Sequence, residues 1–95
     1  PFWLELKIAN SNAIKVSPHQ IAWNAAYWAR GGASFFLVKR SSTRELLLFG
    51  GQHGGLLADG GCSAVDGLVF KDLPAFFGGL LLILQEKHRS AGHGA

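Results

Sequence analysis

Glu5 and Lys7 are the residues whose types and spacing best suit chemistry. Residues 1–8 alternate between an apolar face and a face that carries both side chains, which is the pattern of a β-strand. Their Cα atoms should then lie roughly 6.5–7 Å apart. A carboxylate can hold a cation such as Mg²⁺, and a nearby ammonium can polarise water or stabilise a phosphate. Metal-assisted hydrolysis is one interpretation; an ordinary surface Glu and Lys is the other, since Glu-x-Lys is a common triplet.

The segment after the following polar loop carries the signals of a helix start. Ser17 is a candidate N-cap, Pro18 suits the first helical position, and Gln20 stands where the partner in a capping box belongs. The helix is predicted to run to about Arg30 and to stop at the Gly-Gly pair that follows. Its interior is apolar nearly all round, which predicts packing against a sheet on one side and another element on the other.

The rest of the chain indicates short strands and a terminal helix. Residues 34–39 are predicted to be a strand buried on both faces, and residues 44–49 a second strand in a hairpin with it. Residues 65–70 are a candidate short strand, and residues 80–88 a helix. A strand, a helix and a further apolar strand in succession indicate a crossover. They predict an α/β domain with a mixed β-sheet and flanking helices.

Composition bounds the class of protein. The chain has 95 residues, 48% hydrophobic and 16% charged, which fits one small folded domain. That domain is expected to span residues 1–89, with residues 90–95 as a flexible polar tail. The single cysteine, Cys62, excludes an internal disulfide framework. No apolar run reaches the roughly 18–20 residues of a membrane span, so a cytoplasmic protein without a membrane partner is expected.

Basic and aromatic residues are candidates for contact with nucleic acid. The net charge of +3 permits a polyanionic partner without requiring one. The candidate phosphate contacts are Lys15, Lys39, Arg40 and Arg44. The last three are the nearest thing to a cluster, and a solvated loop is the alternative for them. Trp3, Trp23 and Trp28 could stack on bases, although aromatic residues at strand and helical spacing more often pack in a core.

The order of these features resembles the PD-(D/E)XK nuclease superfamily. Phe-Trp-Leu-Glu-Leu-Lys at residues 2–7 precedes a polar loop, the helix start Ser-Pro-His-Gln and a second apolar strand. The chain is most similar to the small VRR-type (virus-type replication-repair) nucleases and the archaeal Holliday-junction resolvases. In that family a strand with Glu-x-Lys leads through a loop into a helix that starts Ser-x-x-Gln. The resemblance covers residues 2–38, about two fifths of the chain.

The resemblance implies a restriction-endonuclease-like core and a function. That function is hydrolysis of DNA phosphodiesters with Mg²⁺ or Mn²⁺ in replication, repair or recombination, including in proteins of phage origin. Carried over, Glu5 and the backbone carbonyl of Leu6 are metal ligands, and Lys7 is the catalytic lysine. Gln20 is the helix glutamine that faces the site. A capping role is its alternative, and both can coexist because both keep the side chain near the helix N-terminus.

One part of the family pattern has no counterpart in this sequence. The family's Asp lies on a strand before Glu-x-Lys, and only four residues precede Glu5, so a core incomplete at the N-terminus is expected. A cation held by one carboxylate and one carbonyl is held weakly. The alternative function is therefore a catalytically inactive nucleic-acid-binding or structural module with the same fold.

The same missing strand predicts an oligomeric state. Without the Asp-bearing strand, residues 2–8 form a sheet edge with unpaired backbone groups, and such an edge recruits another strand. A homodimer is therefore predicted, with residues 1–8 in or near an interface of more than about 1,200 Å².

Overall fold

The computed structural model of this chain describes residues 2–93, with side chains described for residues 2–86. Its elements are β1 (Phe2–Ala9), α1 (Pro18–Ala29), β2 (Ala33–Arg40), β3 (Leu46–Gly50), α2 (Gly54–Gly60), β4 (Leu68–Phe70) and α3 (Leu73–His93). The strands form one sheet in the order β1-β2-β3-β4. β1 and β2 are parallel, whereas the other two pairs are antiparallel. The predicted α/β class with a mixed sheet and flanking helices is confirmed.

The parallel pairing of β1 and β2 follows from the helix between them. α1 begins with the predicted capping box: Gln20 N donates to Ser17 Oγ at 3.1 Å, and Ser17 N donates to Gln20 Oε1 at 3.2 Å. It ends at Ala29, and Gly31 follows with φ +85°, a left-handed conformation that glycine adopts at no steric cost. In the resulting register Glu5 pairs with Phe36 and Lys7 with Val38.

Two apolar clusters lie on the two faces of the sheet. The cluster on the α2 side consists of Ala9, Ile14, Phe36, Val38, Leu47, Phe49, Leu57 and Cys62. The cluster on the α3 side consists of Ala33, Phe35, Leu37, Leu46, Leu48, Phe76 and Leu80. β2 therefore contributes to both clusters in alternation, and its first six residues are buried. Its uninterrupted apolar run predicted this burial on both faces.

Several element boundaries differ from the prediction, and β4 begins at Leu68 rather than at residue 65. α3 begins at Leu73 rather than at residue 80, because Asp72 accepts a hydrogen bond from Ala75 N at 2.9 Å and so caps an earlier start. It continues to His93, so residues 90–93 of the expected tail are helical, and the last two residues lie outside the described range. β3 begins at Leu46 because Arg44 has φ 63°, which belongs to a turn.

The packing of α1 also differs from the prediction. Its apolar sequence predicted packing on two sides, but Asn24 is the one residue of the helix that is buried. Four of its twelve residues are alanine, exposed at little cost because an alanine side chain has little apolar surface. Trp23, however, is 40% exposed.

The loop after β1 is tied to the segment after α2. Asn12 Nδ2 donates to the Gly60 carbonyl at 2.9 Å, and Asn12 Oδ1 accepts from Ser63 N at 2.7 Å. The Asn12 carbonyl accepts from Cys62 N at 2.8 Å. Between these partners Gly61 has φ +75° and ψ −165°. One polar residue therefore joins two segments about fifty positions apart in the sequence.

β1 is an edge strand, as predicted. Among the described strands it pairs only with β2. On the α3 side Leu4 packs against the apolar cluster, but Leu6 and Ile8 are uncovered, with 71% and 75% of their surface exposed. Within residues 2–93 no helix combines the length and the apolar character needed to cross a membrane.

Candidate active site

Glu5, Lys7 and Gln20 form one hydrogen-bonded group. Lys7 Nζ donates to Gln20 Oε1 at 2.8 Å, and Gln20 Nε2 donates to Glu5 Oε2 at 3.5 Å. All three side chains are half-buried. They meet where β1 passes beneath the first turn of α1. The proximity expected from the strand pattern and the helix start is confirmed; the catalytic roles stay predictions.

The orientation of the Gln20 amide follows from its neighbours. A lysine ammonium only donates, so the amide oxygen must face Lys7, which leaves the amide nitrogen for the Glu5 carboxylate. The same oxygen accepts from Ser17 N, which closes the capping box. The two interpretations of Gln20, as a cap and as a site residue, are therefore structurally compatible.

Trp3 completes the surroundings of Glu5. Its indole Nε1 donates to Glu5 Oε1 at 2.8 Å, so both carboxylate oxygens accept a hydrogen bond. The sequence indicated base stacking or core packing for Trp3, not a contact with Glu5. The available signal was its position two residues before Glu5, which puts both side chains on the same face of β1.

An open cleft of about 520 Å³ lies beside the group. Lys7 and Gln20 line it together with Lys15 and Ser17, and its apolar wall consists of Ile14, Val16 and Ala58. Lys15, a predicted phosphate contact, therefore lies at the site, and its side chain is exposed. Glu5 lies outside the cleft, on the Trp3 side of Lys7.

The other predicted phosphate contacts lie away from this cleft. Lys39 pairs with Ile8 and so belongs to the opposite face of the sheet from Lys7. Arg40 lines a separate cleft of about 280 Å³ that also contains Cys62. Arg44 is exposed in the turn before β3. The structure does not bring these three side chains to Glu5 and Lys7.

The distribution of charge along the chain favours an anionic ligand near α1. Residues 6–44 contain six of the nine Lys and Arg residues and none of the six Asp and Glu residues. These residues form the second half of β1, the loop that follows it, α1 and β2. The signal in the sequence is therefore the absence of carboxylates from this segment rather than any cluster of cations.

The oxygen ligands available to a cation are few. The resemblance supplies the Glu5 carboxylate and the Leu6 carbonyl, which lies between Glu5 and Lys7 in β1; the Leu6 side chain points to the opposite face. Within the described part of the chain no three His, Cys, Asp or Glu side chains come together to hold a metal. Mg²⁺ commonly keeps several waters and uses one or two carboxylates plus substrate phosphates. The residues present therefore fit a weakly held cation that also needs the substrate phosphate.

Comparisons with models of protein families, with curated proteins and with solved structures give no match for this chain. Fold and site together define an α/β domain in which a carboxylate, an amide and an ammonium meet between an edge strand and a helix start.

Proposed function

We propose that this chain is a metal-dependent DNA phosphodiesterase with a restriction-endonuclease-like core, acting in replication, repair or recombination. The observation that carries the proposal is the hydrogen-bonded group of Glu5, Gln20 and Lys7. The resemblance singled out these three residues. They meet at one point although Gln20 belongs to α1 and lies fifteen positions after Glu5 in β1. The absence of acidic residues from residues 6–44, which include Lys7, Gln20 and the loop that lines the cleft, supports an anionic substrate.

Each residue of the group has a separate task in the proposed reaction. A water oxygen attacks phosphorus, and the ester oxygen that leaves takes up a proton. The Lys7 ammonium neutralises the charge that grows on the phosphate oxygens, and half-burial strengthens that effect. Gln20 holds the ammonium in place, and Trp3 and Gln20 orient the Glu5 carboxylate. Glu5 and the Leu6 carbonyl would hold Mg²⁺ or Mn²⁺, which supplies Lewis-acid stabilisation of the same charge.

A second candidate is a nucleic-acid-binding module that does not cleave. It is favoured by the lack of a group of three His, Cys, Asp or Glu side chains that could hold a metal among the described residues. The two candidates differ in a direct assay with labelled single-stranded, duplex and branched DNA, in Mg²⁺ or Mn²⁺ and in excess chelator. The first predicts cleavage that the chelator abolishes. Salt-dependent binding without cleavage supports the second, and neither binding nor cleavage contradicts both.

Binding of Mn²⁺ is expected to be weak and to depend on Glu5. With one carboxylate and one carbonyl, we expect an ion bound at roughly 2.1–2.2 Å from oxygen and only partly occupied at millimolar Mn²⁺. Glu5→Gln should remove this binding, whereas Glu45→Gln, which changes a carboxylate in the separate cleft that Arg40 lines, should not. Electron paramagnetic resonance of free Mn²⁺ measures both variants. Equal Mn²⁺ binding by wild type and Glu5→Gln contradicts the ligand assignment.

We also propose that a second copy of the chain covers the open side of β1. The outer edge of this strand lacks a neighbour among the described strands, and Leu6 and Ile8 are exposed beside it. A twofold homodimer would pair the free backbone groups at the edge of β1 and would also bury Leu6 and Ile8.

The dimer is expected to be visible by light scattering at micromolar concentration. Ile8→Lys should shift the mass to that of one 10.2 kDa chain, because the lysine would be buried against the second copy. Leu56→Lys, at an exposed apolar residue of α2 on the other side of the sheet, should leave the dimer intact. A wild-type mass of 10.2 kDa contradicts this proposal.

A further inference from the structure

An exposed group of aromatic rings lies beside the candidate site. Trp3 is 48% exposed, and its ring centroid lies 5.1 Å from that of Trp23, with 56° between the planes. Tyr27 stacks on Trp23 with the centroids 5.1 Å apart and 18° between the planes. None of the three belongs to either apolar cluster. We call Trp3, Trp23 and Tyr27 the aromatic platform.

The aromatic platform is continuous with the candidate site. Trp3 donates a hydrogen bond to Glu5, so one end of the platform touches the proposed metal ligand. On α1, Trp23 and Tyr27 follow Gln20 by three and seven residues, which puts all three on one face of the helix. A ligand bound to Lys7 and Gln20 can therefore extend along α1 over the rings without crossing another element.

The platform is rigid on its inner side. A Cβ at Gly32 would lie 2.7 Å from the Tyr27 ring, so the backbone there packs directly against the ring. Tyr27 is thus held between Gly32 and Trp23, and it supports Trp23 from behind. A prearranged ring surface loses little side-chain freedom when a ligand stacks on it.

Positive charge stands at both ends of this surface. Lys7 and Lys15 lie at the cleft, and the exposed Arg30 lies at the C-terminal end of α1. The helix between them has twelve residues, so it is about 18 Å long. The intervening residues include no acidic side chain. Cations at the two ends can bind phosphates, and the aromatic rings between them can stack on bases. This surface is therefore complementary to a single nucleic-acid strand.

We propose that the aromatic platform binds unpaired bases, so that the substrate of this site is DNA with a single-stranded segment next to the phosphate that is cleaved. The inference rests on the proposed function, because that function makes DNA the ligand. Bases within a duplex are stacked on one another and do not offer a face to a protein ring, whereas unpaired bases do. Continuous duplex therefore cannot use this surface.

The test measures DNA affinity and DNA cleavage separately. Fluorescence anisotropy in chelator gives the affinity for a single strand, for its blunt duplex and for a duplex with a single-stranded overhang. The variants are Trp23→Leu, which keeps an apolar side chain without a ring, and Trp23→Phe, which keeps a ring. Phe77→Leu is the matched control, since Phe77 is a 57% exposed aromatic residue on α3. Circular dichroism checks that each variant is folded.

We expect the single strand and the overhang to bind at least about tenfold more tightly than the blunt duplex. Trp23→Leu should weaken binding of the single strand by roughly 5- to 150-fold, the range for loss of one stacking ring, without changing duplex binding. Trp23→Phe should retain most of the affinity, and Phe77→Leu should match the wild type. Equal affinity for single strand and duplex, or no effect of Trp23→Leu, overturns the inference.

Cleavage in Mn²⁺ distinguishes this inference from the proposed function. If the protein cleaves DNA and Trp23→Leu leaves single-strand binding unchanged, the base-binding role of the platform is rejected and the proposed phosphodiesterase activity stands. Ring-dependent binding of single strands without cleavage supports the platform and rejects the phosphodiesterase in favour of the binding module. Binding that is lost equally in Trp23→Leu and Phe77→Leu rejects the platform, because it then reflects general loss of apolar surface.

Discussion

Lys7→Met is expected to lower the rate of metal-dependent DNA cleavage by roughly 10²- to 10³-fold, the usual effect of removing one preorganised group that stabilises transition-state charge. Methionine keeps most of the length and apolar character of the lysine side chain but has no charge. The Lys7 side chain is half-buried, and its ammonium donates a hydrogen bond of 2.8 Å to Gln20 Oε1, so its charge is held in one place. The rate should be measured in single turnover with saturating protein, which separates chemistry from binding.

Lys15→Met is the matched control for Lys7→Met. Lys15 lines the same cleft but is exposed and makes none of the hydrogen bonds that join Glu5, Gln20 and Lys7. We expect this variant to bind DNA less tightly, with the salt dependence reduced by about one phosphate contact, and to cleave at the wild-type rate once saturated. Equal saturated rates for wild type and Lys7→Met would exclude Lys7 as the catalytic lysine.

Gly61→Ala is expected to lower the free energy of unfolding by roughly 2–5 kcal/mol, from backbone strain of about 1–3 kcal/mol and lost hydrogen bonds of about 1–2 kcal/mol. Gly61 has φ +75° and ψ −165°, a region that is essentially limited to glycine. A Cβ there would overlap the Asn12 carbonyl oxygen and lie 2.6 Å from Asn12 Nδ2. The substitution would therefore displace the residue that ties the β1–α1 loop to the segment after α2.

Gly31→Ala separates the two causes of this loss. Gly31 also has positive φ, at +85°, but an added Cβ would meet nothing within 4 Å. We expect it to cost only the left-handed conformation, about 1–2 kcal/mol. Urea denaturation of both variants at equal protein concentration gives the comparison. Equal losses would mean that the Asn12 contact contributes nothing and that strain alone explains the effect of Gly61→Ala.

The parts of the fold that the sequence predicted are those with local signals. Alternation in residues 2–8 predicted β1, and Ser17 and Gln20 predicted the start of α1 from capping chemistry. These two local patterns predicted the strand that carries Glu5 and Lys7 and the helix start that carries Gln20, whereas the expectation that the three residues meet came from the resemblance. The predicted start of α3 at residue 80 is wrong because Asp72 caps the helix seven residues earlier.

The parts that the sequence did not predict depend on contacts between elements. Lys39 and Arg40 were grouped because they are adjacent, yet successive residues of a strand point to opposite faces, and the structure separates them. The aromatic platform needs Trp3 from β1 and Trp23 from α1, twenty positions apart. The local sequence of either segment carries no signal for that contact. It forms only once α1 has packed on the sheet that β1 and β2 form.

The oxygen of Gln20 that accepts from both Ser17 N and Lys7 Nζ makes the first turn of α1 and the site one cooperative unit. Helix ends open more readily than their centres, so local opening of this turn releases the lysine as well. The fraction of molecules with an assembled site is then limited by the fraction in which the helix start is closed. Thermodynamic linkage makes the relation reciprocal: a phosphate that binds preferentially to the assembled site protects the amides of that turn from hydrogen exchange by the same coupling free energy.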